Sequence, residues 1–74
     1  MGHALIVTLH DGRQVDSWSE AWRAECEARY VLAMPNIYAR RIYLADISKR
    51  RGEVAGKQLA DLVRAVWEKG RVNP

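Results

Sequence analysis

The sequence predicts a small α+β fold that is mainly helical: an N-terminal β-hairpin followed by three helices, in the order ββααα. A short β-branched run precedes an Asp-Gly turn. Three longer segments with helical apolar periodicity follow, separated by Pro35 and Gly52. With 74 residues and one cysteine, the chain has no intrachain disulfide, and we expect a single domain over residues 1–74.

The hairpin is predicted over about residues 4–15. Ala4 to Leu9 is short and rich in β-branched residues, as strands are. Asp11-Gly12 suits a tight turn because this dipeptide tolerates positive φ. Gln14-Val15 then begins the return strand.

The first helix is predicted over about residues 18–34. Ser17 and Glu20 fit a capping box, and Pro35 stops the helix. A rhythm of three to four residues selects the inward positions Trp18, Ala21, Trp22, Cys26, Tyr30 and Ala33.

The second helix is predicted over residues 37–51, with Asn36 as its N-cap and Gly52 after its end. Its last turn is basic, which suits the negative end of the helix dipole. Its apolar positions are Ile37, Tyr38, Ile42, Leu44, Ala45 and Ile47.

The third helix is predicted over about residues 53–69, ending at Gly70. Gly56 inside it indicates a close approach of two helices, because glycine costs about 1 kcal/mol relative to alanine there. The stripe is wide enough for both a core and a homodimer seam, so a homodimer is a hypothesis. Its members are Ala55, Leu59, Leu62, Val63, Val66 and Trp67.

Charge is concentrated in the second helix. Residues 1–39 hold three arginines against five carboxylates, whereas residues 40–57 hold six cations against two. This basic face could contact phosphates or an acidic protein surface, or could be solvated and paired with the acidic first helix. A helix-turn-helix reader using Lys57, Gln58 and Arg64 is a weaker alternative. The candidate binding residues are Arg40, Arg41, Lys49, Arg50 and Arg51.

Aromatic residues are the second group of binding candidates. Three tryptophans in so short a chain are expected mainly to fill the core, although Trp and Tyr also dominate interface hot spots. Tyr38 and Tyr43 cannot both face inward together with Ile42 and Leu44. At least one of the two tyrosines is therefore expected to be exposed as an interface residue.

Enzymatic chemistry is not expected. The spacing of His3 and His10 disfavours a shared metal site, so no metal or cofactor is predicted. His10-Asp11 is interpreted as a turn, with a base and its orienting carboxylate as the weaker alternative. Cys26 is expected in the core rather than as a reactive thiol beside Arg23 and Arg29. No apolar run spans a membrane and no signal peptide is evident, so a cytoplasmic setting is expected.

A longer pattern runs through the chain: Trp22-x-x-Glu25-Cys26-Glu27-Ala28-Arg29, Met34-Pro35, Arg40-Arg41-x-Tyr43-Leu44-x-x-Ile47-x-Lys49-Arg50-Arg51-Gly52 and the segment Leu59 to Trp67. In this pattern the chain resembles, over about Val7 to Trp67, a group of small uncharacterised proteins encoded by tailed phages and prophages of Gram-negative bacteria. The resemblance implies a phage accessory protein in a bacterial host and supplies no catalytic residue. We expect stoichiometric binding to a protein partner, such as a host factor or defence complex, with an anti-CRISPR-type inhibitor as one version. Nucleic-acid binding by the second helix is the alternative.

Overall fold

The computed structural model of the protein describes residues 5–72, with side chains described as far as residue 70. The predicted ββααα order is confirmed. Two strands, β1 (Ile6–Thr8) and β2 (Gln14–Asp16), precede three helices: α1 (Glu20–Leu32), α2 (Ile37–Arg51) and α3 (Glu53–Val72). His3 and the start of the predicted first strand lie outside the described residues.

The hairpin is antiparallel, with Val7 opposite Val15. Its loop is longer than a two-residue turn. The Gly12 N–H donates to the Leu9 carbonyl at 3.0 Å, and the Leu9 N–H donates to the Arg13 carbonyl at 2.8 Å. Gly12 has a φ of 89°. The Asp-Gly signal was therefore right about the turn, but the glycine alone takes the left-handed conformation, after a turn centred on His10 and Asp11.

The start of α1 corrects the predicted capping box. The N-cap is Ser19, whose hydroxyl accepts from the Trp22 N–H at 3.2 Å. Ser17 instead holds the chain against the hairpin. Its hydroxyl accepts from the Leu5 N–H at 3.2 Å, and its own N–H donates to the Leu5 carbonyl at 2.7 Å. Ser17 and Ser19 are both residue types that cap helices. Ser17 hydrogen-bonds to Leu5 instead, so Ser19 is the N-cap.

The buried face of α1 differs from the predicted one. Ala28 and Val31 are fully buried, whereas Trp18 and Tyr30 are 68% and 61% exposed and Cys26 is exposed as well. The predicted inward positions did not include Glu25, which lies on the buried face and is 1% exposed. The buried face of α1 is therefore rotated about the helix axis, relative to the predicted face, by about one residue, or about 100°.

The predicted N-cap of α2 and the predicted boundary between α2 and α3 at Gly52 are confirmed. The Asn36 side chain accepts from the Ala39 N–H at 2.9 Å as the N-cap of α2. Gly52, with a φ of 99°, is the single residue between the helices. A helix-turn-helix joins its helices by three to four residues, so this junction is too short for one. The predicted end at Gly70 is wrong, because α3 continues to Val72.

Gly56 confirms the predicted close approach of two helices. It is buried, and a Cβ added to it would lie 3.0 Å from the Cβ and 3.1 Å from the Cα of Ser48 in α2. The core beside this contact is small. It consists of Ala28, Val31, Ile47 and Leu59, with Tyr43, Leu44, Leu62, Val63 and Val66 packed against it.

The outcome at the other predicted core positions differs between α3 and α2. On α3 the predicted stripe is largely confirmed, although Trp67 is 48% exposed. On α2 the prediction fails at Ile37 and Ile42, which are 51% and 71% exposed. The exposure of Tyr38, at 71%, confirms that one of the two tyrosines is exposed. The large aromatic residues do not fill the core: neither Trp18 nor Trp67 is buried, and Trp22 is only partly so.

Candidate functional site

Glu25 is the centre of a buried polar cluster that joins α1 to the hairpin loop. Its Oε1 accepts from the backbone N–H of His10 at 2.8 Å and lies 2.7 Å from Nδ1 of the same histidine. Its Oε2 accepts from Arg29 Nη2 at 2.8 Å. Arg29 in turn lies over the Trp22 ring, 5.2 Å from the ring centroid. Both carboxylate oxygens are thus hydrogen-bonded, as a buried charge requires.

The pKa of Glu25 reflects this balance. Burial raises the pKa of its carboxyl, but the hydrogen bonds from the His10 backbone and ring and the charge of Arg29 outweigh burial. The pKa therefore lies below its usual value of 4.5, and the residue is a carboxylate at neutral pH. The weaker alternative from the sequence made Asp11 the carboxylate that orients His10. Asp11 instead pairs with Arg13 at 2.8 Å.

Glu27 forms a second cluster, which joins α1 to the end of α2. It accepts from Arg51 through two N–H groups, at 2.9 Å and 3.0 Å, and from the Tyr43 hydroxyl at 2.6 Å. The Arg51 hydrogen bonds lower the pKa of Glu27, against a smaller opposing effect of burial, and the Tyr43 hydroxyl lowers it further. The same contacts raise the pKa of Tyr43 and of Arg51. The predicted pairing of the basic helix with the acidic first helix is therefore present at Arg51.

The five predicted basic residues do not form one continuous face. At about 100° per residue, Arg40 and Arg51 project in similar directions three turns apart, while Arg41, Lys49 and Arg50 project elsewhere. Arg50 pairs with Asp46 at 3.0 Å on the same helix. The structure thus separates Arg50 and Arg51, which have carboxylate partners, from Arg40 and Arg41 at the other end of α2.

Arg40 and Arg41 line a groove between the first half of α2 and the second half of α3. Its volume is about 480 Å³, and Arg64 of α3 joins them around it. The groove holds one carboxylate, Glu68. We call it the arginine groove; its apolar lining is Leu32, Ile37, Leu44, Ala60, Val63 and Trp67.

Arg40 has an unusual environment in this groove. Its Nε is buried and has no hydrogen-bond acceptor among residues 5–72. A buried donor without an acceptor costs about 1–3 kcal/mol. A second depression of about 520 Å³ adjoins the groove and shares Leu32, Arg40 and Trp67 with it. Sequence reasoning named Arg40 and Arg41 but missed the contribution of Arg64 to a binding surface of this kind, because Arg64 is 23 positions further along the chain.

The predicted aromatic candidates have different environments. Tyr38 is 71% exposed and, with the equally exposed Ile42 one turn later, forms an apolar ridge on α2. Tyr43 is partly buried, with its ring 5.6 Å from that of Tyr30 and its hydroxyl on Glu27. Tyr43 therefore acts in the fold, and Tyr38 is the exposed member of the pair. Beside the ridge is a depression of about 510 Å³ lined by Met34, Ala39, Ile42, Tyr43 and Asp46.

Residues with catalytic or metal-binding chemistry have the following contacts in the described part of the chain. His10 has a carboxylate beside its ring, but serines 17 and 19 act on backbone groups of the hairpin and of α1. Between residues 5 and 72, no group of three or more His, Cys, Asp or Glu side chains could hold a metal ion. No helix in that range is long and apolar enough to cross a bilayer.

The chain belongs to a family of unknown function, DUF7696, which it matches over residues 15–70. This range covers the last two residues of β2 and all but the last two residues of α3, so it includes Glu25, Glu27, the apolar ridge and the arginine groove. No curated protein and no solved structure matches the chain.

Proposed function

We propose that this protein is a non-enzymatic accessory protein that acts by stoichiometric binding to a protein partner. The observation that carries the proposal is the exposure of large apolar side chains along the first half of α2. Ile37, Tyr38 and Ile42 are each more than half exposed, while the core is formed without them. Clustered exposed apolar residues on a small domain are typical of interaction surfaces.

The partner is, in this proposal, a host factor or a defence complex in the cytoplasm of a bacterium that carries a tailed phage or prophage. An anti-CRISPR-type inhibitor is one version of such a protein. The resemblance to phage-encoded proteins and the small size of the chain support this setting. The apolar ridge of Tyr38 and Ile42 supplies anchors of the kind that protein interfaces use.

Nucleic-acid binding is the second candidate, and one observation favours it: the arginine groove holds three guanidinium groups against one carboxylate. Two observations weigh against it. Arg50 and Arg51, two of the five predicted phosphate contacts, are ion-paired with Asp46 and Glu27. The lining of the groove is also largely apolar, and phosphates make no use of such a surface.

A capture experiment tests the protein-binding proposal. Tagged protein is expressed in infected or lysogenic bacteria and purified with and without nuclease. We expect one host or phage protein to co-purify at a fixed ratio in both cases, and to be lost with Ile42→Ser. Val54→Ser is the matched control, because Val54 is equally exposed, at 71%, but lies on α3. Equal recovery with the two variants would contradict the proposal.

An electrophoretic shift across a salt series tests the second candidate. A shift that weakens steeply with salt and is lost with Arg41→Glu would favour nucleic-acid binding, because phosphate contacts depend on counterion release. Arg41 is preferred to Arg51 for this test, because Arg51 is part of the Glu27 cluster and its loss would also affect the fold.

A further inference from the structure

We propose that the arginine groove receives an acidic amphipathic helix of the protein partner. This inference rests on the proposed function and names the chemistry that the partner presents to this surface. The groove lies between two helices, where a third helix can lay its apolar side against the lining while its carboxylates meet the arginines.

The lining of the groove suits apolar side chains. Leu44 and Val63 pack against the core from one side and line the groove with the other, and Ile37 and Trp67 extend this surface at 51% and 48% exposure. A volume of about 480 Å³ is in the range of ligand pockets. A helix that places apolar side chains one turn apart would cover this surface.

The arginines suit carboxylates. The groove has three guanidinium groups and one carboxylate, so its own charges do not balance. The Arg40 Nε is buried without an acceptor among residues 5–72, and a carboxylate placed in the groove would supply one. Guanidinium and carboxylate groups form paired, charge-assisted hydrogen bonds, and the planar fork of arginine favours this geometry. Charge complementarity therefore points to an acidic partner.

A second copy of this chain is a poorer occupant than an acidic partner. Most of the carboxylates that it would present are already ion-paired or buried within their own chain. These are Asp11, Glu20, Glu25, Glu27, Asp46 and Asp61. Nucleic acid would satisfy the arginines but would leave the apolar lining of Leu44 and Val63 uncovered.

The test is a selection from a displayed library of random 14-residue peptides against the full-length protein. Selected peptides are then synthesised, and their dissociation constants are measured by fluorescence anisotropy. We expect them to carry net negative charge and apolar residues at helical spacing. Arg40→Met should weaken binding by about tenfold or more, because charged hydrogen bonds are lost. Arg50→Met is the matched control, because Arg50 is an arginine of the same helix outside the groove, and it should bind like wild type.

Several outcomes would overturn the inference. They are the recovery of neutral or basic peptides, the failure to recover any, and binding that Arg40→Met and Arg50→Met affect equally. Sedimentation of the same variants covers the second-copy alternative: a dimer that Arg40→Met dissociates would place another copy in the groove. A selected peptide displaced by an oligonucleotide at low salt would instead place nucleic acid there.

The failure of this inference is distinguishable from failure of the proposed function. If acidic peptides do not bind but the partner is still captured and lost with Ile42→Ser, protein binding stands and the apolar ridge alone carries it. If neither occurs, both proposals fail.

Discussion

The arginines at the two ends of α2 have different environments. At the C-terminal end, Arg50 and Arg51 have carboxylate partners, and Arg51 ties α2 to α1 through Glu27. In the N-terminal half, Arg40 has a buried Nε without an acceptor in the described chain, and Ile37 and Trp67 beside it in the groove are exposed. The first end is a contact within the fold, and the second is the surface that we propose for binding.

This difference shows why net charge is a poor guide to a site. The sequence places five cations on one helix, and counting treats them as equal. Their roles are set by what α1 and α3 bring against them. Glu27 neutralises one end, whereas Leu44, Val63 and Arg64 surround the other. A basic helix can therefore serve the fold at one end and binding at the other.

The largest expected effect is the loss of stability when the buried polar cluster around Glu25 loses its carboxylate. Glu25→Ala should lower the free energy of unfolding by about 3 kcal/mol, because it leaves the His10 N–H and Arg29 without their acceptor. Urea denaturation followed by circular dichroism measures this loss. Glu20→Ala is the control, because Glu20 is exposed and 3.6 Å from Arg23, and it should change the value by no more than about 0.5 kcal/mol. Equal losses would contradict a structural role for Glu25.

The next effect concerns the spacing of α2 and α3, which also sets the width of the arginine groove. Gly56→Ala should lower the free energy of unfolding by about 1–3 kcal/mol, because the new methyl meets the Ser48 hydroxyl and Cβ and lies 3.1 Å from the Ser48 Cα. Gly70→Ala is the control. Gly70 also lies in α3 but has open space around it, so the substitution should be neutral or stabilise by up to about 1 kcal/mol. Thermal denaturation of both variants and of wild type tests this difference in stability.

Acid titration tests the same clusters through their protons. The pKa values of Glu25 and Glu27 are lower in the folded protein than their ordinary value of 4.5. Their contribution to stability is therefore complete above about pH 4.5 and is lost as the pH falls through the lowered folded-state values. Glu27→Gln should be less stable at neutral pH and should lose less stability on acidification. The measurement is the urea midpoint of wild type and variant at pH values between 7 and 2. Midpoints that fall by the same amount in both proteins as the pH is lowered would contradict this prediction.

The sequence predicted the order of elements because turn and cap residues act locally. Asp11-Gly12, Asn36 and Gly52 each determine a boundary through their own backbone conformation or side chain. Gly56 was predictable for a related reason, since a glycine inside a helix has few explanations other than a close contact.

The phase of α1 and the composition of the site were not predictable in this way. Glu25 is buried because His10 and Arg29 satisfy it, and His10 lies 15 positions away, where no local rule pairs the two. The tryptophans were expected inside because of their size, but a core built on Ala28, Val31, Ile47 and Leu59 does not accommodate them. The arginine groove depends on how α2 lies beside α3, which periodicity does not specify.

The smallest expected effect on stability belongs to the most direct test. This test makes the same Arg→Met substitution at each end of α2 and compares the two variants. Unfolding free energy and binding to the captured partner are measured for Arg51→Met and Arg40→Met. Arg51→Met should be only slightly less stable than wild type, since the pair with Glu27 is partly exposed, and should still bind. Arg40→Met should be as stable as wild type, or slightly more so, and should lose binding by about tenfold or more. A destabilised Arg40→Met that binds normally, beside an Arg51→Met that folds normally and does not bind, would contradict this assignment of the two ends.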